Sequence, residues 1–313
     1  MSRHVVFGAG QIGRPLIEQL AGQGHHVIAV NRRGGAIPGV DVVAGDATDA
    51  AFTTQICAAA DAVYFCLNAG NYARWAEEFP PLQQGVLDGA SRAQARLVVL
   101  DNLYAYGPPR GRRLVESMAA NPTSAKSATR AAMTDRLLTA HRTGQVEVSI
   151  GRASDYYGPG ATQSALGETV FAPALTGGMA QVMGDPDQPH SYSYTADVAA
   201  ALATLGTAPG ATGQIWHLPV TDPHTTRELV AEIYRLAGHK PRLLAAGRMS
   251  LRVLGLIKPE MREYLHTLYQ FTAPWVVDDG KFRAAFGLRA TALDEALSAS
   301  LAWYRDRALV STH

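Results

Sequence analysis

Short apolar segments alternate with helical segments through the first half of the chain, and the first of them ends in a glycine turn. The segment HVVFGAG at 4–10 has the composition of a buried strand, and IGRPLIEQLAGQG at 12–24 that of a helix. Further strands are predicted at 26–33, 40–48, 61–68, 96–102 and 146–154, with helices near 72–93 and 122–143. Strands that are apolar along their length and joined through helices form parallel sheets covered on both faces. The sequence therefore predicts an α/β fold with a doubly wound parallel sheet.

The glycine turn after the first strand carries Gly8, Gly10 and Gly13 in a G-x-G-x-x-G spacing. Between a strand and a helix, this spacing is typical of a Rossmann-type dinucleotide site. Gly8 permits the tight turn, Gly10 lets the backbone approach a pyrophosphate, and Gly13 lets the helix pack close to the strand. The helix start at Gln11 and Ile12 then offers free N–H groups to the phosphates. The alternative is a glycine turn without a ligand.

The end of the second strand indicates which dinucleotide is bound. An NAD site usually has an acidic residue there to accept the ribose hydroxyls. This chain has Asn31, Arg32 and Arg33 instead. A guanidinium pairs with a 2′-phosphate, which a carboxylate would repel. We therefore expect NADPH in preference to NADH; the alternative is that both arginines are solvated loop charges.

Residues after the third and fourth strands are expected to complete the adenosine side of this site. Asp46, followed by Ala47, is placed to meet the adenine amino group. The segment after the fourth strand would line the adenosine with Leu67, Asn68 and Ala69.

The second half of the chain is less regular. A Gly/Pro loop, YGPGATQS at 157–164, precedes one more predicted strand at 214–219. Helical patterns follow near 225–238, 258–270 and 291–308. We expect a dinucleotide-binding domain over residues 1–155, with return segments at about 190–220, and a mainly substrate-binding lobe over 156–313.

The composition narrows the class of protein further. With 47% hydrophobic and 18% charged residues and a net charge of +1, the chain has a globular composition and no basic run for nucleic acid. No stretch has the roughly 20 apolar residues of a membrane helix, and no signal segment precedes the first strand. No spacing suggests a metal site. Cys57 and Cys66 lie in apolar surroundings and are expected to be buried thiols. We expect a cytoplasmic protein with a small-molecule substrate.

Four later segments resemble the extended form of the short-chain dehydrogenase/reductase superfamily. They are DNLYAYGPP at 101–109, GRASDYYGPG at 151–160, HSYSYTADVAAAL at 190–202, and the closing stretch from 276 to 305. The resemblance covers nearly the whole chain. It implies NAD(P)-dependent chemistry, and a homodimer formed through the helices near 72–93 and 122–143.

The catalytic positions of that superfamily are altered here. Its usual serine position holds Asn102, and its Tyr-x-x-x-Lys position holds Lys126 and Arg130. The isoflavone-reductase-like and related atypical reductases carry a Lys-x-x-x-Arg on this helix, and that resemblance places Lys126 beside the nicotinamide ribose and the substrate oxygen. An ammonium there can donate a proton to a developing oxyanion, with Asn102 adding a hydrogen bond. The alternative is a pair of solvated charges at a helix start.

Tyrosines elsewhere are alternative proton donors. Tyr104 follows the fifth strand and Tyr156 the sixth, at the carboxyl ends of strands where ligands bind in such sheets. Tyr106 and Tyr157 each precede a glycine and are expected to pack as aromatic spacers. His217, in the predicted strand QIWHLP, is expected to be structural.

Two substitutions bear on the substrate. In nucleotide-sugar members of the superfamily, an arginine seven residues before the Asp of the return segment binds the diphosphate; this position is His190, and Asp155 replaces an asparagine of the substrate loop. We expect both to contact substrate, the alternative for His190 being a surface histidine. The leading hypothesis is an NADPH-dependent reductase of a small carbonyl, enone or imine. The alternatives are a non-catalytic NADP(H)-binding sensor or scaffold, and an NAD(P)-dependent sugar epimerase or dehydratase.

Overall fold

The structure is a computed structural model that describes residues 1–70, 74–250 and 264–311. Its strands, in chain order, are β1 (Arg3–Phe7), β2 (His26–Asn31), β3 (Asp41–Ala44), β4 (Ala62–Phe65), β5 (Arg96–Asp101), β6 (Val148–Arg152), β7 (Asp155–Tyr157), β8 (Ala180–Met183), β9 (Pro189–His190), β10 (Tyr192–Tyr194), β11 (Gln214–His217), β12 (His224–Thr225) and β13 (Leu243–Ala246). Its helices are α1 (Gly13–Gly22), α2 (Ala50–Cys57), α3 (Trp75–Ala93), α4 (Ala125–Arg142), α5 (Glu168–Thr176), α6 (Thr195–Thr207), α7 (Thr226–Ala237), α8 (Gly280–Phe286) and α9 (Leu293–Ser311).

Seven strands form a parallel sheet in the order β11-β6-β5-β4-β1-β2-β3. The order reverses at β1, which pairs with β2 on one side and β4 on the other. Chain segments leaving the carboxyl ends of β1 and β4 therefore diverge, and a crevice opens between them. The predicted α/β fold with a doubly wound, Rossmann-type parallel sheet is confirmed.

Helices cover both faces of this sheet. On one face α2, α3 and α4 pack against the strands through side chains such as Phe79 and Leu137. On the other face α1, α6 and α8 do so through Leu16, Leu202 and Phe282. These apolar side chains recur on one side of each helix, as burial against a sheet requires. Helices α3 and α4 contact each other; the homodimer expected through them stays a prediction.

The remaining elements form a lobe that starts at the carboxyl edge of the sheet. Strand β7 begins only three positions after β6 ends, and it pairs with β10 in a separate two-stranded sheet. Helices α5, α7 and α9 pack around a second core that includes Phe171, Ile233 and Leu297. The lobe is thus held against the edge where the sheet's ligands would bind.

Two details differ from the sequence-based expectation. The return segment was expected to rejoin the sheet from about 190, but β9 and β10 pair with β12 and β7, and β11 alone of that segment enters the central sheet. Of the helix expected near 258–270, residues 258–263 lie outside the described part, and the rest forms 3-10 helices at Tyr264–His266 and Leu268–Phe271. Within the described residues, no helix combines the length and apolarity needed to cross a bilayer.

Candidate functional site

The glycine turn between β1 and α1 is tight, and its backbone geometry explains why glycine is needed there. Gly8 has a φ of +102°, which side-chain-bearing residues rarely adopt, and its N–H donates to the Val30 carbonyl at 2.8 Å. A Cβ on Gly13 would lie 1.8 Å from the Gly8 carbonyl oxygen, so α1 starts in direct contact with the turn. A Cβ on Gly10 would meet no atom within 4 Å. Gly10 therefore faces open space, where a ligand can approach the backbone.

The same turn presents unused hydrogen-bond donors. The backbone N–H groups of Gly10, Gln11 and Ile12 have no acceptor among the described residues. The Ile12 side chain is buried in the core, so this residue faces the open side only through its backbone. Unpaired N–H groups at a helix N-terminus, where the helix dipole is positive, suit an anionic pyrophosphate.

A cavity of about 520 Å³ lies at the carboxyl ends of β1 to β4. It brings together most of the residues expected at the adenosine side, namely Asn31, Arg32, Asp46, Ala47, Leu67 and Asn68. Arg33 and Ala69 are not among its lining residues. On the opposite wall stand residues from the start of α3 that sequence reasoning missed, including Arg74, Glu77 and Glu78. The charged segment RWAEE at that helix start was the available signal.

Arg32 and Arg33 have different surroundings. The Arg33 N–H donates to Asn31 Oδ1 at 2.8 Å, which fixes the turn after β2. The Arg32 guanidinium extends across the cavity, since its Nη2 lies 3.6 Å from where a Cβ on Gly70 would stand. Of the two arginines, Arg32 is the one placed to meet a ligand in the cavity.

Asp46 is held as a carboxylate at the cavity wall. Its Oδ1 accepts hydrogen bonds from the N–H and hydroxyl of Thr48, at 2.9 and 2.8 Å. These hydrogen bonds, and more weakly the charge of Arg32, hold the pKa of Asp46 below its ordinary value. Its Oδ2 makes no hydrogen bond within the described residues, so an amino group of adenine can bind there.

Helix α4 begins with a reciprocal cap, and Lys126 lies in its first turn. Ser124 Oγ accepts from the Ser127 N–H at 3.2 Å, and Ser127 Oγ accepts from the Ser124 N–H at 2.9 Å. Lys126 and Arg130 follow on one side of the helix and are only 6% and 7% exposed. The alternative that these two are solvated surface charges is therefore wrong. The first turn of α4, which carries Lys126, follows the segment that leaves the carboxyl end of β5.

Arg130 belongs to a buried ionic cluster rather than to solvent. Its Nη1 lies 3.4 Å from Asp101 Oδ1, and its guanidinium carbon lies 3.9 Å from the centre of the Phe79 ring. The other oxygen of Asp101 accepts from Arg152 Nε at 3.0 Å. Thr134 bridges the group, since its hydroxyl donates to Asp101 and accepts from Arg152.

Sequence reasoning missed Asp101 and Arg152, although a signal was present. They are the last residues of β5 and β6, which are neighbouring strands, and they are paired in register. Opposite charges at the carboxyl ends of adjacent parallel strands can be expected to meet.

Asn102 and Tyr104 form the turn that leaves β5. Asn102 Oδ1 accepts from the Tyr104 N–H at 3.1 Å, so its carbonyl stabilises the turn while its amide nitrogen makes no hydrogen bond within the described residues. The Tyr104 ring stacks on Trp75, with centroids 5.8 Å apart. This arrangement keeps Tyr104 at the carboxyl edge, beside α3.

Tyr106, Tyr157 and His217 are structural, as expected. Both tyrosines are buried. His217 Nδ1 donates to the Asp278 carbonyl at 3.0 Å, so its Nε2 accepts from the Tyr106 hydroxyl at 2.9 Å. Burial lowers the pKa of His217 to about 4, which keeps the imidazole neutral.

Tyr156 differs from its neighbour Tyr157. It is half-buried, and its hydroxyl makes no hydrogen bond with any described residue. Burial raises the pKa of the phenol, and the nearby charge of Arg130 opposes that rise. Tyr156 thus presents a phenol just after the carboxyl end of β6, packed against the core on the α1 and α6 face of the sheet.

Asp155 and His190 are bonded to each other. His190 Nε2 lies 2.9 Å from Asp155 Oδ2, and His190 Nδ1 donates to the Gln270 carbonyl at 3.2 Å. His190 is buried, with its ring stacked on Phe271. The expectation that His190 contacts substrate directly is wrong, because both ring nitrogens are already used; the surface-histidine alternative is wrong as well.

Burial keeps the two cysteine thiols protonated. Cys57 is buried and Cys66 half-buried, and burial raises the pKa of both thiols to about 12, so they stay protonated. Within residues 1–70, 74–250 and 264–311, no group of three metal-ligating side chains comes together.

Solved structures share this fold over almost the whole chain. One is the dTDP-glucose 4,6-dehydratase DesIV of Streptomyces venezuelae with NAD and TYD bound (TM-score 0.79, 22% identity, 97% of both chains). Another is the dTDP-glucose 4,6-dehydratase of Bacillus anthracis with NAD (TM-score 0.80, 15% identity, 98% of this chain and 97% of that one). A third is the UDP-glucose 4-epimerase of Thermus thermophilus with NAD (TM-score 0.76, 21% identity, 97% of this chain and 99% of that one). At these identities the likeness shows the fold.

Sequence comparison identifies the family. No curated protein matches the sequence. The model of the NAD dependent epimerase/dehydratase family matches residues 5–218, a span that includes the glycine turn, the cavity, the ionic cluster and β11. The superfamily resemblance is thereby confirmed, and the chain belongs to the NAD-dependent epimerase/dehydratase family.

Proposed function

We propose that this chain is an NADP(H)-dependent oxidoreductase that reduces a small carbonyl, enone or imine. The observation that carries the proposal is the burial of Lys126 in the first turn of α4, at the carboxyl edge where the superfamily's tyrosine is absent. The open glycine turn and the adjoining cavity fit a dinucleotide by their unpaired N–H groups and shape. The cofactor supplies the hydride, and the chain must orient the substrate and supply a proton.

Two side chains can supply that proton. Lys126, as an ammonium, can donate to the oxygen of a carbonyl as hydride reaches its carbon. Tyr156 offers a phenol just after the carboxyl end of β6 whose hydroxyl has no hydrogen-bond partner among the described residues. Asn102 can add a hydrogen bond to the same oxygen through its amide nitrogen. We assign Lys126 as the donor and Tyr156 as its competitor.

The test is NADPH oxidation against a panel of ketones, enones and imines. Removing a general acid typically lowers the rate by about 10²–10⁴-fold, so Lys126→Met should lower kcat at least a hundredfold and, through the expected ribose contact, weaken NADPH binding by at most about tenfold. The exposed Lys240 provides the matched control Lys240→Met, which should be unchanged. Full activity in Lys126→Met, combined with loss of activity in Tyr156→Phe, would show that Tyr156 donates the proton.

We further propose NADP(H) over NAD(H), with Arg32 as the contact to the 2′-phosphate. A charge-assisted hydrogen bond contributes about 1.5–3 kcal/mol, or roughly ten- to hundredfold in affinity. Calorimetry should show NADP⁺ binding weakened by at least about tenfold in Arg32→Gln, with NAD⁺ binding unaffected. Arg33→Gln is the control, since Arg33 does not line the cavity. Equal effects of the two substitutions, or a wild-type preference for NAD⁺, would contradict this assignment.

A second candidate is a sugar epimerase or dehydratase with tightly held NAD, which the family and the solved structures favour. NAD that copurifies with the protein, together with turnover of a dTDP- or UDP-sugar, would establish it. A third is a non-catalytic NADP(H)-binding sensor or scaffold, which the absent tyrosine favours. Equal binding of NADP⁺ and NADPH, with no hydride transfer to any compound of the panel, would support that candidate.

A further inference from the structure

The first turn of α3 forms the wall of the cavity that faces the end of β2, and buried aromatic side chains fix its position. Trp75 and Phe79, one helical turn apart, both lie in the core that this helix shares with β4 and β5. The Phe79 ring packs beside Phe65, the last residue of β4, with centroids 6.3 Å apart. Glu78 directly precedes Phe79, so its backbone is held in place by this packing.

Two glutamates in this turn line the cavity, and their surroundings differ. The side chain of Glu77 is 68% exposed, and its Oε2 accepts from Arg74 Nε at 2.9 Å. The side chain of Glu78 is only 26% exposed, and its Oε1 lies 3.8 Å from Arg74 Nη1. Solvent and salt screen an exposed charge more strongly than a partly buried one. The charge of Glu78 is therefore the one that acts more strongly inside the cavity.

Glu78 also approaches Arg32, which reaches into the cavity from the end of β2. Glu78 Oε2 and Arg32 Nη2 lie 3.4 and 3.6 Å from one point, the place where a Cβ on Gly70 would stand. At most about 7 Å therefore separates these two charged atoms. Because residue 70 is a glycine, no side chain lies at that point. The carboxylate of Glu78 thus stands between two guanidiniums, Arg32 on one side and Arg74 on the other.

This placement sets Glu78 against a phosphate on the adenosine ribose. A 2′-phosphate bound to Arg32 carries about two negative charges and would lie near the carboxylate of Glu78. Like charges at this separation repel each other, while the same carboxylate attracts the guanidinium that the phosphate needs. A dinucleotide without a 2′-phosphate meets neither obstacle, because Glu78 then remains the counter-charge of Arg32.

On this basis, and resting on the cofactor site proposed above, we propose that Glu78 is a specificity-determining residue that competes with the 2′-phosphate for Arg32. Without a dinucleotide, or with NAD(H), its carboxylate balances the Arg32 guanidinium. When NADP(H) binds, the 2′-phosphate takes that guanidinium from Glu78. The competition narrows the difference in affinity between NADP(H) and NAD(H), so NAD(H) remains a ligand of the site.

Calorimetry on the full chain tests this without turnover. Glu78→Gln should raise the affinity for NADP⁺ at least about tenfold and change that for NAD⁺ by less than about threefold. Glu77→Gln is the matched comparison, because it removes the same charge from the same helical turn and loses the same interaction with the helix dipole. It should raise the affinity for NADP⁺ by less than about threefold, since Glu77 is more exposed and is bound to Arg74.

The adenosine halves of the two dinucleotides locate the effect within the ligand. Adenosine 2′,5′-bisphosphate should gain affinity in Glu78→Gln by the same factor as NADP⁺, and 5′-AMP should respond as NAD⁺ does. A gain that NADP⁺ shows and the bisphosphate lacks would place the effect at the nicotinamide end and would overturn the proposal.

The double variant tests whether the competition acts through Arg32. In the Arg32→Gln background, the gain from Glu78→Gln should fall to less than about threefold, because no guanidinium remains to compete for. A gain of full size in that background would reduce the role of Glu78 to general charge repulsion and overturn the competition.

Two further results separate this inference from the cofactor site on which it rests. Equal effects of the two glutamate substitutions, or no gain in Glu78→Gln, would overturn the role of Glu78 while leaving a wild-type preference for NADP⁺ intact. A wild-type preference for NAD⁺ that Arg32→Gln does not alter would overturn the cofactor assignment itself.

Discussion

At the scale of single residues, Asp101 is a buried carboxylate, outside the cavity at β1 to β4, on which two buried cations depend. It is 5% exposed and interacts with two buried guanidiniums, Arg130 at 3.4 Å and Arg152 at 3.0 Å. A buried charge is stable only when it is paired and hydrogen-bonded. One carboxylate therefore neutralises two buried cations, so removing it and removing one of the cations have different energetic costs.

This asymmetry predicts unequal costs of substitution. Asp101→Asn should lower the free energy of unfolding by about 3–5 kcal/mol, because both guanidiniums lose their charged partner. Arg130→Met should cost clearly less, because Asp101 keeps Arg152 and the methionine still fills space over Phe79. Urea unfolding of the two variants and of the double variant measures this. Equal losses in the two single variants would show that Asp101 does not serve the two arginines in this way.

The limits of sequence reasoning are clearest at this scale. The glycine spacing and the residues after β2, β3 and β4 could be placed because each follows its strand directly in sequence. The burial and hydrogen bonding of His190 could not be predicted. Spacing from Asp197 located the residue in the sequence, but its two hydrogen-bond partners, Asp155 and Gln270, lie 35 and 80 residues away. Burial of Arg130 likewise depends on α3, because Phe79 of that helix lies under the guanidinium and no local pattern encodes this packing.

At the scale of elements, the strand–turn–helix unit from β1 to α1 gives the site its shape. The sequence predicted this unit closely, since periodicity and glycine spacing are local signals. It did not predict β7, β9 and β10 as short paired strands, because two- and three-residue strands have no periodicity to detect. The small lobe sheets are set by long-range pairing alone.

Two glycines of the first unit should respond oppositely to the same change. Gly13→Ala should destabilise the protein by about 3 kcal/mol, because its Cβ would lie 1.8 Å from the Gly8 carbonyl oxygen and neither backbone can yield. Gly10→Ala should stay within about 0.5 kcal/mol of wild type, because nothing lies within 4 Å of its Cβ. Yet Gly10→Ala should weaken NADP⁺ binding at least about tenfold, because the methyl group enters the space for the pyrophosphate. Thermal unfolding and calorimetry separate the two effects; unchanged NADP⁺ affinity in Gly10→Ala would place the phosphates elsewhere.

At the scale of the whole molecule, the sheet and the lobe are each organised around their own core, and buried histidines are part of that organisation. His4 sits in β1 beneath His25 and Tyr64, and His217 ends β11 under Tyr106. The division into residues 1–155, with return segments at about 190–220, and 156–313 stays a prediction; from the second half, α6, β11 and α8 pack in the core of the sheet. Protonation of either histidine would place a charge inside the sheet domain.

The pH dependence of stability follows from these two imidazoles. Burial lowers the pKa of His4 and of His217 from 6.5 to about 4. Above pH 6.5 both are neutral in the folded and unfolded chain, so their contribution to stability is fully present. As the pH falls from 6.5 to about 4, the unfolded chain takes up the protons first, and the folded state loses about 3 kcal/mol per histidine.

The variant His217→Gln removes one of these two protonation sites. Its unfolding free energy should therefore fall less steeply over this pH range, with about one proton fewer taken up on unfolding, whatever its stability at pH 7. The exposed His239 gives the control His239→Gln, which should keep the wild-type slope. Because buried carboxylates such as Asp197 have a raised pKa and act in the opposite direction, the difference between variant and wild type is the quantity to measure. Parallel curves for His217→Gln and wild type in urea unfolding would mean that His217 titrates normally in the fold.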